Sequence, residues 1–359
     1  MAPGRTSLLL TQFIILIILE ITNGFTQKFQ EVLRGKYDLK DAMRQQLGGK
    51  FQIGINDPHS DTGEYPPRIV EVKPFYMDIY PVTVAQFLSY KIKKPKYKTT
   101  ANNAGYSFVF SNVVPPNIKT KWASEAADSW WLAVRGAQWD RPEGPGTNIT
   151  DRLDYPVVHV SYMDAKAYCM WAGKRLPTEE EWEYAARGQL KGVQYPWGDK
   201  FQRGRMNYFQ GRFPNNDKGT DGWIGLSPVN AFGAQNNHSG MFDMLGNVWE
   251  WTSTRYYVRV VDRKSQALKY VLKGGSYLDS RDGTFNHVVR TANRMGMVPH
   301  YTAHNVGFRC AASAPHLVQK MRRSDPRFKP PAETSTRRPP KLHKRRDDPR
   351  TKKYIKVEL

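Results

Sequence analysis

The sequence predicts a mixed α and β fold with short helices, short strands and abundant ordered loop. Three observations carry this. Ser161-Tyr-Met-Asp164 and Thr178-Glu-Glu-Glu181 have the form of helix capping boxes, and the helices they start run only to Gly173 and Gly188. Short β-rich runs, Phe51–Asn56 and Tyr270-Val-Leu272, read as strands. Between Tyr195 and Asn237, Gly, Asn, Asp, Pro and Trp are too frequent for a long helix.

The chain has 359 residues, of which 40% are hydrophobic, enough for a sizeable core. Ten Trp and 19 Tyr point to a core built from aromatics as much as aliphatics. The net charge of +21 suggests an acidic partner, but its distribution tempers that. Residues 316–359 hold 15 Lys and Arg against 5 Asp and Glu, so nearly half of the excess lies in the tail. No recognition-helix, zinc-finger or RNA-binding pattern accompanies the charge, so a dedicated nucleic-acid role is not expected.

Taken in order, Arg5 precedes an apolar run from Leu8 to Leu19, and small residues follow to Gly24. This reads as a secretory signal peptide over 1–24. A signal anchor is the alternative, but the run falls short of the roughly 20 residues that span a bilayer. No later stretch is apolar enough to cross one. Residues 25–48 read as a polar helical lead-in. Val70 to Pro81 reads as two short strands divided by Pro74. Thr83 to Lys91 reads as a short helix with Val84, Phe87 and Leu88 on one face. Residues 93–120, rich in Lys, Asn, Pro and Thr, read as loop. In the helices behind the two boxes the acids serve the positive first turn, which makes the glutamates architectural. Trp182 and Ala185 or Ala186 point inward at helical spacing. Composition changes after residue 314, and 315–359 reads as a disordered basic tail. It ends in Lys356-Val-Glu-Leu359, one residue away from the KDEL type of retrieval signal.

The stretch from Lys273 to Ala311 is the natural place for a site. Gly274 and Gly275 follow a strand and permit a sharp turn or a close approach. The segment closes on Asn305-Val-Gly-Phe-Arg-Cys310, and polar turn formers lie between. A surface loop tied down at its end accounts for the same composition. The only cysteines are Cys169 and Cys310. A bond between them would close a loop of about 140 residues, with a stabilising ceiling of roughly 5 kcal/mol. Two buried free thiols are the alternative. His300 and His304 have helical metal-ligand spacing but follow Pro299 in a loop-like region, so they read as a solvated pair. Asn148-Ile-Thr150 and Asn237-His-Ser239 are glycosylation acceptors by pattern.

Several blocks together resemble one family. They are Pro156–Ser161, Ala172–Glu179, Glu181–Gly188, Pro196-Trp-Gly198, Gly246-Asn-Val-Trp-Glu-Trp-Thr252, Gly274-Gly-Ser-Tyr277 and Asn305–Ala311. In this order they are similar to the formylglycine-generating enzyme, or sulfatase-modifying factor, family, over about Gly49 to Ala312. The resemblance implies an α+β fold related to C-type lectins, with little regular secondary structure and long ordered loops, over 25–314. It implies a Cys169–Cys310 disulfide that pins the last strand to a helix. A second family disulfide is lost, with Ala186 and Thr291 at its places.

Active members of that family oxidise a cysteine of nascent sulfatases to formylglycine, using copper held by two thiols. Here Asp279 stands at the first thiol position, and the second falls near Thr284. A carboxylate is a hard ligand that cannot replace thiolate for Cu(I), so no copper is expected. The chain is therefore most similar to the family's inactive paralogue. Calcium is the expected cofactor at two sets: Asn207, Tyr208, Asp221 and Trp223, then Asp243, Gly246, Val248 and Glu250. Asn207, Asp221, Asp243 and Glu250 would give side-chain oxygens; Tyr208 and Trp223 would give carbonyls. The peptide groove, bordered by Gly274–Ser276, Arg294 and Asn305–Arg309, is expected to survive. The implied function is a binding protein of the endoplasmic reticulum lumen that recognises sulfatases and modulates the active enzyme. Sulfatases and that enzyme are the implied partners, together with pairing into homo- or heterodimers. Two alternatives stand beside it: a lectin-like or basic-tail module for acidic glycans, and an enzyme of altered chemistry using Asp279, Asp282 and His287.

Overall fold

A computed structural model describes residues 42–314 apart from 61, 126–129, 237 and 258–266. The expected signal peptide, the basic tail with its Lys-Val-Glu-Leu ending, and Asn237 lie outside the described residues. Short strands and helices alternate along the chain, joined by long loops, and the class is α+β.

The first two strands are β1 (Met43–Gln46) and β2 (Gly49–Ile53), followed by β3 (Arg68–Val72) and β4 (Phe75–Asp78). Pro74 separates β3 from β4, as expected. β1 corrects the helical reading of 25–48 over its last residues. It is held as a strand by antiparallel pairing with β4, which also pairs with β14 (Ala311–Ser313). Helix α1 (Val84–Lys93) starts at a capping box on Thr83 and buries Val84 and Phe87.

Residues 93–120 are not loop. They form α2 (Thr100–Ala104), β5 (Tyr106–Phe110), a 3-10 turn and α3 (Pro116–Trp122). Polar composition concealed them. Thr99 caps α2, Gly105 ends it in the left-handed region, and Pro116 occupies the first turn of α3, where a missing N–H costs nothing. β5 buries Ser107 beside Val109 and Phe110, and the Ser107 hydroxyl donates to Thr302 at 2.8 Å. β5 joins β7 (Trp131–Arg135) and β6 (Ala123–Glu125) in one sheet.

The two predicted boxes start α4 (Tyr162–Trp171) and α5 (Glu179–Arg187). On α5, Trp182, Ala185 and Ala186 are fully buried, as their spacing required. The glutamates are structural: Glu181 takes both guanidinium nitrogens of Arg175, and Glu183 pairs with Arg187 and the buried Lys273. Between 195 and 236 there are only the two-residue strands β8 (Gly211–Arg212) and β9 (Asn216–Asp217). A four-stranded sheet then runs in the order β12 (Arg294–Met297), β11 (Tyr270–Lys273), β10 (Trp249–Arg255), β13 (Val306–Gly307). Its last pair is parallel. Asn305–Cys310 is thus a strand only over Val306–Gly307.

Among the described residues, two of the core's four clusters hold most of the large side chains. One gathers Phe87, Tyr168, Trp249, Trp251 and Phe308, and the other Phe75, Met77, Trp182 and Met244. Cys169 on α4 and Cys310 beside β14 are bonded and fully buried in the first. Ala186 and Thr291, at the places of the lost second disulfide, are buried, and the Thr291 hydroxyl donates to the Gln194 carbonyl. Among the described residues, no helix is long and apolar enough to cross a membrane.

Because the Cys169–Cys310 bond closes 141 residues, replacing both by Ala should lower stability by up to about 5 kcal/mol. Urea unfolding with wild type beside the double variant reads this as a lower midpoint. An unchanged midpoint would remove the bond from the stabilising contacts.

Candidate functional site

Gly274 closes β11 with φ +96°, and a Cβ there would lie 2.7 Å from the Met244 carbonyl and 3.2 Å from the Trp182 ring. Only glycine fits. The turn delivers Ser276 and Asp279 into the interior, and both are buried. One Asp279 oxygen accepts from the Ser276 hydroxyl and backbone N–H, each at 2.7 Å. The other accepts from the His287 N–H at 3.1 Å and faces His287 Nδ1 at 3.3 Å. The His287 ring meets Trp249 edge-on at 5.1 Å. Asn305 donates to the Ser276 hydroxyl at 3.1 Å, while its Oδ1 is buried without a partner.

Asp279 and His287 therefore converge, and Asp282 does not join them. Asp282 accepts from the Thr284 hydroxyl and N–H, which hold its carboxyl below the usual range. Thr284 is exposed, so the two expected thiol positions differ sharply in environment. Arg294 does not join the set either. It pairs with Glu179 and lies over the Tyr256 ring. The Ser276 hydroxyl is fixed on the Asp279 carboxylate.

Of the first calcium set, Tyr208 and Trp223 meet Asp221 through their backbone N–H groups. Its two oxygens accept from the N–H groups of Tyr208 at 3.3 Å and Trp223 at 3.0 Å. Burial and the neighbouring Asp217 push its carboxyl up to about 6, against those bonds. No ion pair to it is found among the described residues. Asn207 turns its amide nitrogen to Gly225 O at 2.8 Å and to Ser227 Oγ at 3.1 Å.

The second set is only partly assembled. Gly246, at φ +79°, lies against Asn207, where a Cβ would meet the Asn207 carbonyl oxygen at 2.0 Å. Val248 is buried beside it. Asp243 accepts from Asn247 at 2.7 Å through Oδ2, while its buried Oδ1 has no partner. Burial pushes this carboxyl up to about 8. Glu250 already has partners in the protein. Its oxygens accept from Arg309 Nε and Nη2, both at 2.7 Å, and from Trp182 Nε1 at 2.8 Å. Among the described residues no three His, Cys, Asp or Glu gather as a metal site, so any calcium would depend on amide and backbone oxygens.

The histidine pair is also corrected. His300 is exposed, but His304 is buried at 2% exposure. His304 Nδ1 bonds the Tyr277 hydroxyl at 2.9 Å, and Nε2 faces Glu143 at 3.4 Å. Next to it, burial holds His159 down to about 3 and hence neutral. Asn148 is exposed, and its Oδ1 accepts from the Thr150 N–H. Sequence reasoning missed Asn247, Arg309 as a partner of Glu250, and Glu143. Asn247 and Arg309 sit inside quoted blocks, but nothing local announces a partner far along the chain.

The geometry agrees with the comparisons. The family described as sulfatase-modifying factor enzyme 1-like domain matches residues 30–314. Inactive C-alpha-formylglycine-generating enzyme 2 of Bos taurus is 50% identical over 274 residues, covering 76% of this chain and 88% of the relative. Formylglycine-generating enzyme of Mus musculus is 43% identical over 276 residues, covering 74% of this chain and 73% of the relative. Among solved structures, PvdO from Pseudomonas aeruginosa has a TM-score of 0.52 at 22% identity, covering 76% of this chain and 94% of that one, which shows the fold alone. By its sequence match over most of its length, the chain belongs to the sulfatase-modifying factor family.

Proposed function

We propose that this chain is a catalytically inactive member of its family that binds sulfatases in the endoplasmic reticulum lumen and modulates their activation. One observation carries the inactive part: the whole chain has two cysteines, and they are bonded to each other. No thiol is left to hold Cu(I) or to engage a substrate cysteine, and Asp279 is committed to Ser276 and His287. The similarity to relatives named inactive supports this. The binding part is supported by the frame around Asp279. Ser276, Asn305 and the Gly274 turn are held by their own contacts, and Asn305 Oδ1 offers an unused acceptor.

Calcium is proposed at Asn207, Tyr208, Asp221 and Trp223. Asp221 fits it as a half-buried carboxylate without a cationic partner. Glu250 is already bonded to Arg309 and Trp182, so the proposal is made for the first set alone.

The lysines at the end of α1 favour a second reading. Lys93, Lys94, Lys96 and Lys98 are all exposed within six residues, a surface suited to an acidic glycan. Retention on heparin that survives removal of 315–359 and is lost on mutating these lysines would favour it.

Incubation with a sulfatase cysteine peptide, copper and reductant should give no aldehyde above a no-enzyme control. Aldehyde formation would overturn the inactive reading. Calcium at about 100 times its dissociation constant should add roughly 2.7 kcal/mol of stability. The melting temperature should fall on chelation, and Asp221→Asn should blunt the fall; identical melts in both conditions would reject the site.

A further inference from the structure

A cavity of about 570 Å³ opens between the Pro142–Tyr155 loop and the Trp223–Leu226 turn, within the size range of small-ligand sites. Asn148 stands on its wall, exposed, as the acceptor of the Asn148-Ile-Thr150 pattern. Its Oδ1 accepts from the Thr150 N–H at 2.9 Å, which fixes the amide in a tight turn. No bond from Nδ2, the atom that takes a sugar, is found among the described residues. The acceptor is thus held in place, accessible and beside the cavity.

The other walls indicate what they would hold. Tyr155 and Trp223 meet edge-to-face, with ring centres 6.1 Å apart, and both are half-buried. Ile224, 71% exposed, continues this wall. Arg152 spends a guanidinium nitrogen on Glu143, yet its side chain is 37% exposed, so donors remain for the cavity. Asp151, also exposed, brings a carboxylate to the same lining. A cation would meet Arg152 and an anion would meet Asp151. A neutral sugar meets neither penalty. Its oxygens accept from a guanidinium, its hydroxyls donate to a carboxylate, and the C–H groups on one side of its ring pack on an electron-rich aromatic face.

We propose that Asn148 carries an N-linked glycan whose first N-acetylglucosamine folds back into this cavity, its apolar side against Trp223 and Ile224 and its acetamide oxygen toward Arg152. Attachment at the wall supplies the sugar at high effective concentration, so weak contacts suffice to seat it. The contacts are distinct from the Asp279 set. The inference rests on the lumenal address proposed above, because the enzymes that glycosylate asparagine act there.

The test uses the full chain made in animal cells that keep glycans in the high-mannose form, so that endoglycosidase H trims each to one N-acetylglucosamine. Mass spectrometry should find the sugar on the Asn148 peptide. An unmodified Asn148 would overturn the proposal, and protection of the chain from protease in sealed microsomes would show separately whether the lumenal address stands. In constant calcium, trimming should leave the melting temperature unchanged, whereas Asn148→Gln should lower it by about 2–4 °C, the scale of one aromatic stacking contact in a domain of this size. Trp223→Ala keeps the backbone groups that meet Asp221. In that background Asn148→Gln should cost nothing further. An equal fall in both backgrounds would mean a glycan that hangs in solvent, and would overturn the cradle. Proton resonances of the trimmed sugar decide the matter if Trp223→Ala does not fold. They should lie upfield of their positions in urea, shifted by the aromatic rings, and identical positions in both states would overturn the proposal.

Discussion

The buried guanidinium of Arg309 is the contact on which the rest of the structure depends. It is fully buried and grips both oxygens of Glu250. Its remaining donors reach the carbonyls of Asp78, Ile79, Phe242 and Asp243. One side chain thus ties the end of β4, the loop before β10 and β10 itself to the segment leading into the disulfide. A planar fork with five donors suits this task, and an ammonium would not. Removing one partner of such a buried pair costs about 3–5 kcal/mol, because the other charge is left uncompensated.

Asp279 shows how a former reactive position can become architecture. A carboxylate between Ser276 and His287 accepts three donors and closes the turn from Gly274 onto the chain beyond it. Charge-assisted bonds of this kind are short and strong. The turn therefore does not depend on sulfur for its shape.

What was legible in the sequence was local. The capping boxes of α4 and α5 and the burial of Trp182 follow from contacts within a few residues. The strands either side of Pro74 follow for the same reason. The family blocks gave the disulfide and the α+β class. β1 was hidden because pairing with β4, not apolar alternation, holds it, and β5 because Ser107 interrupts its apolar run while Val109 and Phe110 are buried. In the first calcium set, the backbone N–H groups of Tyr208 and Trp223 both reach Asp221. In the second, Glu250 meets Arg309, 59 residues away, and no local pattern signals that. Asn247, with φ +59°, joins the two sets through Asp243 and Ser227, and its role also appears only in three dimensions. Glu143 and His304 are 161 residues apart, so their pairing could not be read from spacing.

The central claim is that the frame of the site persists without catalytic thiols. The most direct measurement compares wild type with an Asp279→Cys/Thr284→Cys variant for binding a sulfatase peptide. The peptide's cysteine is replaced by serine, so that no covalent bond can form. The account predicts saturable binding by both proteins, with dissociation constants within about tenfold, or about 1.4 kcal/mol, of each other. Binding by the cysteine variant alone would show that the groove needs its sulfur, and would contradict the account.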